Sequence, residues 1–333
     1  MKRTLSILLA ALLLSAAACS SDKQPLPSIS GRAGELIVVA TKAQWEGEPG
    51  NALREALGSD FGYLPQDEPR FDLMLVPKAG VGRLIKTHRN MLYLNVADTA
   101  TTGISIRRDV WSSPQMMVIV SSPDEESASA LIRSGAETIA GAFENAERER
   151  NMMAAKAFEV PELREKVSAA FGGSPYFPEG YSLKKQTDGF IWISHETSYT
   201  IQGIFIYSFP CGDGWTFDAE SLVDKRNGIL KRNVPATAEG SYMITNPSIV
   251  PGFAQVTFNG ITRYEVRSLW DTYNDFMGGP FVSQAFTDRT GENVIVVEGF
   301  VYAPKYDKRD YLRQVEGIIS TFHWDAGLQQ AEN

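Results

Sequence analysis

The sequence predicts an α+β protein, with an N-terminal α/β layer unit followed by an antiparallel sheet flanked by helices. Three observations predict it. From residue 35 to 158, apolar runs and helical stretches follow in the order strand, helix, strand, strand, strand, helix. From Tyr181 to Ala303, strand-like runs at hairpin spacing are interrupted by one amphipathic helix. A last amphipathic stretch, Asp307 to Phe322, places Leu312, Val315, Ile318, Ile319 and Phe322 on one face and closes the chain as a helix.

The elements follow from local chemistry. ELIVVAT (Glu35–Thr41) is a short apolar strand, and Gly50–Leu57 is a helix carrying Ala52, Leu53, Ala56 and Leu57 at helical spacing. Phe71–Pro77, Met91–Val96 and Met116–Ser121 read as strands. Next comes the longest predicted helix, capped by Ser121 or Ser122, with Pro123 in its first turn and Asp124, Glu125 and Glu126 at the positive end of the dipole. Its apolar stripe is Ala130, Ile132, Ile139, Ala142, Phe143 and Ala146, and its Glu147–Arg150 run (ERER) predicts an exposed face with i,i+3 pairs. Val160–Phe171 is a further helix, and GGSPYFPEG (172–180) breaks the chain. Tyr181–Lys185, Phe190–His195 and Thr200–Phe209 are strands, followed by a helix over Phe217–Asn233 with Asp218 as N-cap. Ser241–Thr245, Phe253–Phe258, Ile261–Trp270, Gly279–Thr287 and Asn293–Ala303 complete the strands. Asn259–Gly260 is a hairpin turn. A fragment of residues 176–326 is expected to fold alone.

The first twenty residues, MKRTLSILLAALLLSAAACS, locate the protein. Lys2 and Arg3 precede an apolar run from Leu5 to Ala18, too short to span a bilayer but suited to a signal peptide. Ala16, Ala17 and Ala18 lead into Cys19, which resembles the lipobox of bacterial lipoproteins, where the cysteine is acylated and becomes the new N-terminus. A plain secretory peptide would leave Cys19 unmodified. The resemblance implies an envelope protein, lipid-anchored on the cell or outer membrane and facing the periplasm or the cell surface. The expected layout is signal peptide 1–18, flexible tether 19–34, N-terminal domain 35–158, C-terminal domain 159–326 and tail 327–333.

The chain of 333 residues carries a formal charge of −8. Loss of Lys2 and Arg3 with the leader leaves 30 basic against 40 acidic residues, a net −10. That balance, with no basic run, argues against nucleic acid and anionic lipid as partners. There are two cysteines; with Cys19 acylated, Cys211 has no intramolecular partner, and two cysteines cannot build a thiolate zinc cluster. Cys211 reads as a small residue of a turn.

No catalytic motif stands out. His88, His195 and His323 are the only histidines, and none has metal-ligand spacing, so no metal and no cofactor are expected. Lys86, His88 and Arg89 form a small positive cluster that suits an anion or a carboxylate such as Glu144, Glu147 or Glu149. LWDTYNDFMGGPF mixes Trp270, Tyr273 and Phe276 with Gly278 and Gly279; exposed rings there would form a binding surface, with the glycines admitting a partner to the backbone. As a strand residue, Trp270 equally suits the core.

The strand and helix order of the second half, closed by a helix ending in Ser320-x-Phe322, resembles the PsbP-type α/β/α sandwich. The motifs THRNMLYLNV, NAERER, DFMGGPFVSQ and VVEGFVYAPKYDKRDYLRQVEGI resemble an uncharacterised family of Bacteroidota lipoproteins over nearly all of residues 30–324. The resemblance implies a lipid-anchored envelope protein and brings no catalytic residues. The expected function is a binding or assembly module with an envelope protein or glycan partner. The alternative is a carboxylate-dependent hydrolase acting on envelope material.

Overall fold

Aliphatic and β-branched residues dominate the central strands of two separate sheets, and each sheet is covered by helices whose apolar stripes match it. The computed structural model describes residues 25–212 and 214–325. The predicted leader, Cys19 and the 327–333 tail lie outside these residues.

The first half contains β1 (Glu35–Val39), α1 (Lys42–Glu46), α2 (Glu48–Leu57), β2 (Asp72–Val76), α3 (Arg83–Lys86), β3 (Asn90–Val96), β4 (Gly103–Arg108), β5 (Met116–Ser122), α4 (Glu125–Ser134) and α5 (Ala136–Ala157). The sheet order is β2-β1-β3-β5-β4, parallel except for β4 at one edge. On one face, Leu36, Val38, Leu92 and Val118 pack against Leu53, Ile132, Ile139 and Phe143 of the helices. The other face, with Ile37, Val39, Met91 and Met117, has a thin cover that includes Val81, Ile85, Val110 and Trp111.

The single long helix of the sequence reading is two helices meeting at Gly135. A Cβ at Gly135 would lie 2.4 Å from Ile104 Cδ1 of β4, so the absent side chain admits the neighbouring strand. The first helix is capped by Asp124, which accepts from Ser127 N–H at 2.7 Å, rather than by Ser121 or Ser122.

The second half contains α6 (Pro161–Phe171), β6 (Gly173–Ser174), β7 (Ser182–Thr187), β8 (Phe190–Glu196), β9 (Ile201–Pro210), α7 (Ala219–Asn233), β10 (Tyr242–Thr245), β11 (Gly252–Phe258), β12 (Ile261–Tyr273), β13 (Gly278–Thr287), β14 (Asn293–Tyr302), α8 (Arg309–Ser320) and β15 (His323–Trp324). Its main sheet is antiparallel throughout, in the order β10-β12-β13-β14-β9-β8-β7, with β11 also paired to β12. Alternation sends Ile191, Ile204, Val282 and Val297 to the face covered by α6 and α8. Phe190, Phe205, Trp270 and Phe300 go to the face covered by α7, where Asp218 is the N-cap. The chain is thus α+β, with its antiparallel sheet flanked by helices.

Helix α8 belongs to both halves. The Glu68 carboxylate accepts from the backbone N–H groups of Lys308 and Arg309 at 2.6 and 2.8 Å, capping the helix from outside its own half. Arg309 donates to Asp72 and to the Pro69 carbonyl, and Asn151 of α5 donates to the Arg313 carbonyl. A fragment starting at residue 176 loses Leu163, Val167 and Phe171 from the core and strips α8 of these partners. These losses weigh against the expectation that it folds alone. The tether reading is corrected for its described part, residues 19–24 lying outside the described residues. From Pro27 onward the chain is pinned to the first half, with Ser30 N–H donating to the Thr87 carbonyl and the Pro27 carbonyl accepting from Ser113 N–H.

Candidate functional site

The antiparallel sheet brings distant aromatic residues to one place. Cross-strand pairing sets Phe300 of β14 opposite Gly203 of β9, and Trp270 of β12 opposite Gly279 of β13. A Cβ at Gly203 would lie 2.0 Å from Phe300 Cε1, so the phenyl ring lies where any side chain at 203 would have to stand. A Cβ at Gly279 would meet the Val301 carbonyl oxygen at 2.0 Å. Trp270 Nε1–H donates to that carbonyl at 3.2 Å, which satisfies the buried indole. The Phe300 ring stacks on Phe205 at 4.7 Å and meets Trp270 edge-on at 5.8 Å.

Above these rings lies a cavity of about 310 Å³. Trp192, Trp270, Phe300 and Tyr302 rise from the strands, Met243 and Met277 line it from β10 and from the turn before β13, and the chain after α7 (Val234 to Thr237) forms its rim. No carboxylate, amine, guanidinium or imidazole lines it. Its polar groups are the hydroxyls of Thr237, Thr272 and Tyr302, and the indole N–H of Trp192, which is buried without a hydrogen-bond partner. Two flexible thioethers among rigid rings make a site that adapts to the shape of an apolar group.

Of the predicted aromatic surface, the placement of Trp270 is corrected. Trp270 is 2% exposed, because the even-numbered positions of β12 face α7; it is a wall of the cavity, not a surface ring. Tyr273 is half-exposed and stacks on Tyr242 at 5.1 Å, while Phe276 is fully exposed at the tip of the turn. The glycines serve the packing here: a Cβ at Gly278 would crowd Asp271 Oδ1 and the Trp270 carbonyl at 2.9 Å.

The predicted anion cluster does not converge either. His88 is buried, its Nε2 3.4 Å from Glu35 Oε2, and Arg89 donates to Glu147 at 2.7 Å. Only Lys86 of the three is exposed, with its ammonium 5.4 Å from the centre of the Trp111 ring. The ERER run is not an exposed face. Glu147 is 1% exposed, accepting from Asn90 and Arg89, and Arg150 reaches the Arg89 and Pro114 carbonyls. These buried charges tie α5 to Asn90, the first residue of β3, and to Arg89 just before it.

A second concavity, about 420 Å³, lies where α5, α8, β12 and the 58–70 loop meet. Three of its four carboxylates are held by arginines, Glu144 by Arg70, Glu265 by Arg267, and Glu316 by both Arg148 and Arg267, while Asp60 accepts from the backbone N–H groups of Gly62 and Glu68. Burial would raise the Glu316 pKa, but the two guanidiniums reverse this and hold it at about 2. A hydrolytic acid needs the opposite shift. Burial does push Glu298 up, but it is fully enclosed beneath α7, bound by Arg226. Among the described residues no three His, Cys, Asp or Glu side chains gather as a metal site. Cys211 is half-buried and unpaired, its N–H donating to the Glu292 carbonyl.

Comparison with known proteins divides the chain in two. Residues 161–321 match the family model described as domain of unknown function DUF4837. Residues 29–156 match a second, domain of unknown function DUF8532. The two matched segments meet between α5 and α6. No curated protein matches the chain. Among solved structures it is similar to a protein from Bacteroides thetaiotaomicron VPI-5482, at 12% identity and a TM-score of 0.28. That match covers 47% of this chain and 46% of that one, so this chain spans less than half the length of that relative. A mutant of the protein Mog1 matches at 9% identity and a TM-score of 0.31, over 47% of this chain and 93% of its own.

Proposed function

We propose that this is a lipid-anchored binding protein of the cell envelope, held by an acylated Cys19, whose second sheet receives an apolar side chain of an envelope protein partner. The observation that carries the binding reading is the cavity of Trp192, Trp270, Phe300, Tyr302, Met243 and Met277, which has rigid aromatic walls and no carboxylate, amine, guanidinium or imidazole. Enclosed aromatic pockets with a few polar groups are typical of binding sites, and Phe276 stands exposed on the turn that also carries Met277. The anchor rests on the leader, with Lys2 and Arg3, the apolar run and the small residues before Cys19. The hydrolase alternative is weaker, since Glu144, Glu265 and Glu316 of the charged cleft face arginines rather than each other.

Titration with a fluorescent naphthalene sulfonate tests the pocket. The probe should bind at one saturable site, and Ala236→Phe, at the rim, should weaken it at least tenfold, about 1.4 kcal/mol, with an unchanged melting temperature. Binding unaffected by that substitution refutes the pocket. Labelled palmitate incorporated by the wild type but not by Cys19→Ser supports the anchor; equal incorporation by both refutes it.

A further inference from the structure

The face of the first sheet opposite α2, α4 and α5 is unlike the rest of this acidic molecule. Residues 77–108 contain six lysines and arginines against one aspartate, Asp98. Glu147 and Glu149 take up Arg89 and Arg108. Lys78, Arg83, Lys86 and Arg107 form no ion pair among the described residues, and all four are exposed. Arg107 belongs to this face, because β4 pairs it with Met117, one of the face's buried residues.

The same face is apolar where a surface should be polar. Leu84 is 77% exposed on the one-turn helix α3, between Arg83 and Lys86. Beside it an apolar hollow of about 670 Å³ is lined by Val81, Leu84, Trp111 and Pro27. Leu26, 43% exposed, adjoins Pro27 in sequence. Exposed apolar residues grouped among cations mark an interaction site, and basic side chains around Leu and Trp suit a lipid headgroup region.

The position of the N-terminal segment says what covers this face. Pro27 lines the hollow, and Ser28 and Ser30 bridge to Ser113 and His88. Cys19 lies eight residues before Pro27. Eight residues span at most about 27 Å fully extended, so an anchored Cys19 keeps this face within that distance of the bilayer. We infer that the surface formed by Leu84, Trp111, Lys78, Arg83, Lys86 and Arg107 rests on the headgroups of an anionic membrane. The inference builds on the lipid-anchor reading. It also corrects the argument from net charge: −10 summed over the mature chain hides a local surplus of cations on the face nearest the anchor.

The test supplies the tether artificially. Residues 20–333, with hexahistidine in place of Cys19, are bound through a nickel-chelating lipid to vesicles of phosphatidylethanolamine and phosphatidylglycerol, 3:1. An environment-sensitive nitrobenzoxadiazole label is placed at Leu84→Cys, and in a control at Asp188→Cys in the β7–β8 turn, both in a Cys211→Ser background. A blue-shifted, brighter label at 84 but not at 188, reversed by the pair Arg83→Glu and Lys86→Glu, supports the contact. No shift at 84, or a shift that survives the charge reversal, overturns it. Without the tether, Arg83→Ala and Lys86→Ala should each lower partitioning onto these vesicles about fivefold; unchanged partitioning also overturns it. Because the tag replaces the acyl chain, failure of Cys19 to take up palmitate would refute the anchor without altering these results.

Discussion

Replacing Glu316 with Gln should destabilise the protein at neutral pH and much less in acid. Glu316 sits on α8, 4% exposed. Its Oε1 accepts from Arg148 Nε on α5 at 2.9 Å and from Arg267 Nη2 on β12 at 2.6 Å. One carboxylate therefore holds the long helix of the first half against the sheet of the second. Burial works against its charge, but the two arginines prevail and set its pKa at about 2, against 4.5 for an ordinary glutamate. A depressed folded pKa contributes stability above the unfolded value, and that stability is lost as pH falls from about 4.5 towards 2. The separation corresponds to about 3 kcal/mol. Glutamine keeps the shape and removes the charge. Urea unfolding followed by circular dichroism should show the variant about 3 kcal/mol less stable at neutral pH, with the gap about 1 kcal/mol smaller by roughly pH 3.5. A gap independent of pH would refute the reasoning, because the carboxylate's charge would then not be what joins the helices to β12.

Two further outcomes follow from the same structure. Arg226 donates to Glu298 through Nε and Nη2 beneath α7, its guanidinium 3.8 Å from the centre of the Phe281 ring, so Arg226→Met should cost about 3–5 kcal/mol while the pair Arg226→Met and Glu298→Met recovers most of it in thermal unfolding. The 176–326 fragment should give poorly dispersed amide signals and rapid proteolysis, whereas residues 25–325 resist both; a well-dispersed spectrum from the fragment would show that α8 needs neither the Glu68 cap nor α6.

Much of the fold was legible because it rests on local periodicity. The closing helix, with Leu312, Val315, Ile318 and Ile319 at 3.6-residue spacing, and the alternating strands of the second half state their faces in sequence. β4 was missed because GISIRR has only Ile104 and Ile106 as apolar signal and pairs at a sheet edge, where polar residues are tolerated. The ERER run looked exposed because burial of Glu147 depends on Arg89 and Asn90, 58 and 57 residues away, and no window of sequence contains both partners. Pairings of that range also build the Arg226–Glu298 bridge.

The pocket, by contrast, left a signal whose meaning was reversed. A glycine inside a strand weakens it and has no side chain to pack, so its presence asks for a close approach. The sequence places such glycines in QGIFIY and FMGGPF, at Gly203 and Gly279. Read as openings for a partner, Gly278 and Gly279 pointed to an exposed aromatic surface around Trp270; Gly203 carried no such reading. The structure uses them inward: Phe300 occupies the space that a side chain at 203 would fill, and the Val301 carbonyl that binds the Trp270 indole occupies the space at 279. Removing two side chains from the sheet lets two large rings lie close against it, and the hollow above those rings is the cavity. Gly203→Ala should therefore displace Phe300, lowering the melting temperature and probe affinity together, while Ala236→Phe at the rim lowers affinity alone. If Gly203→Ala leaves the probe affinity unchanged, the floor of the cavity is not set by the Phe300 ring, and the origin of the site in these strand glycines is wrong.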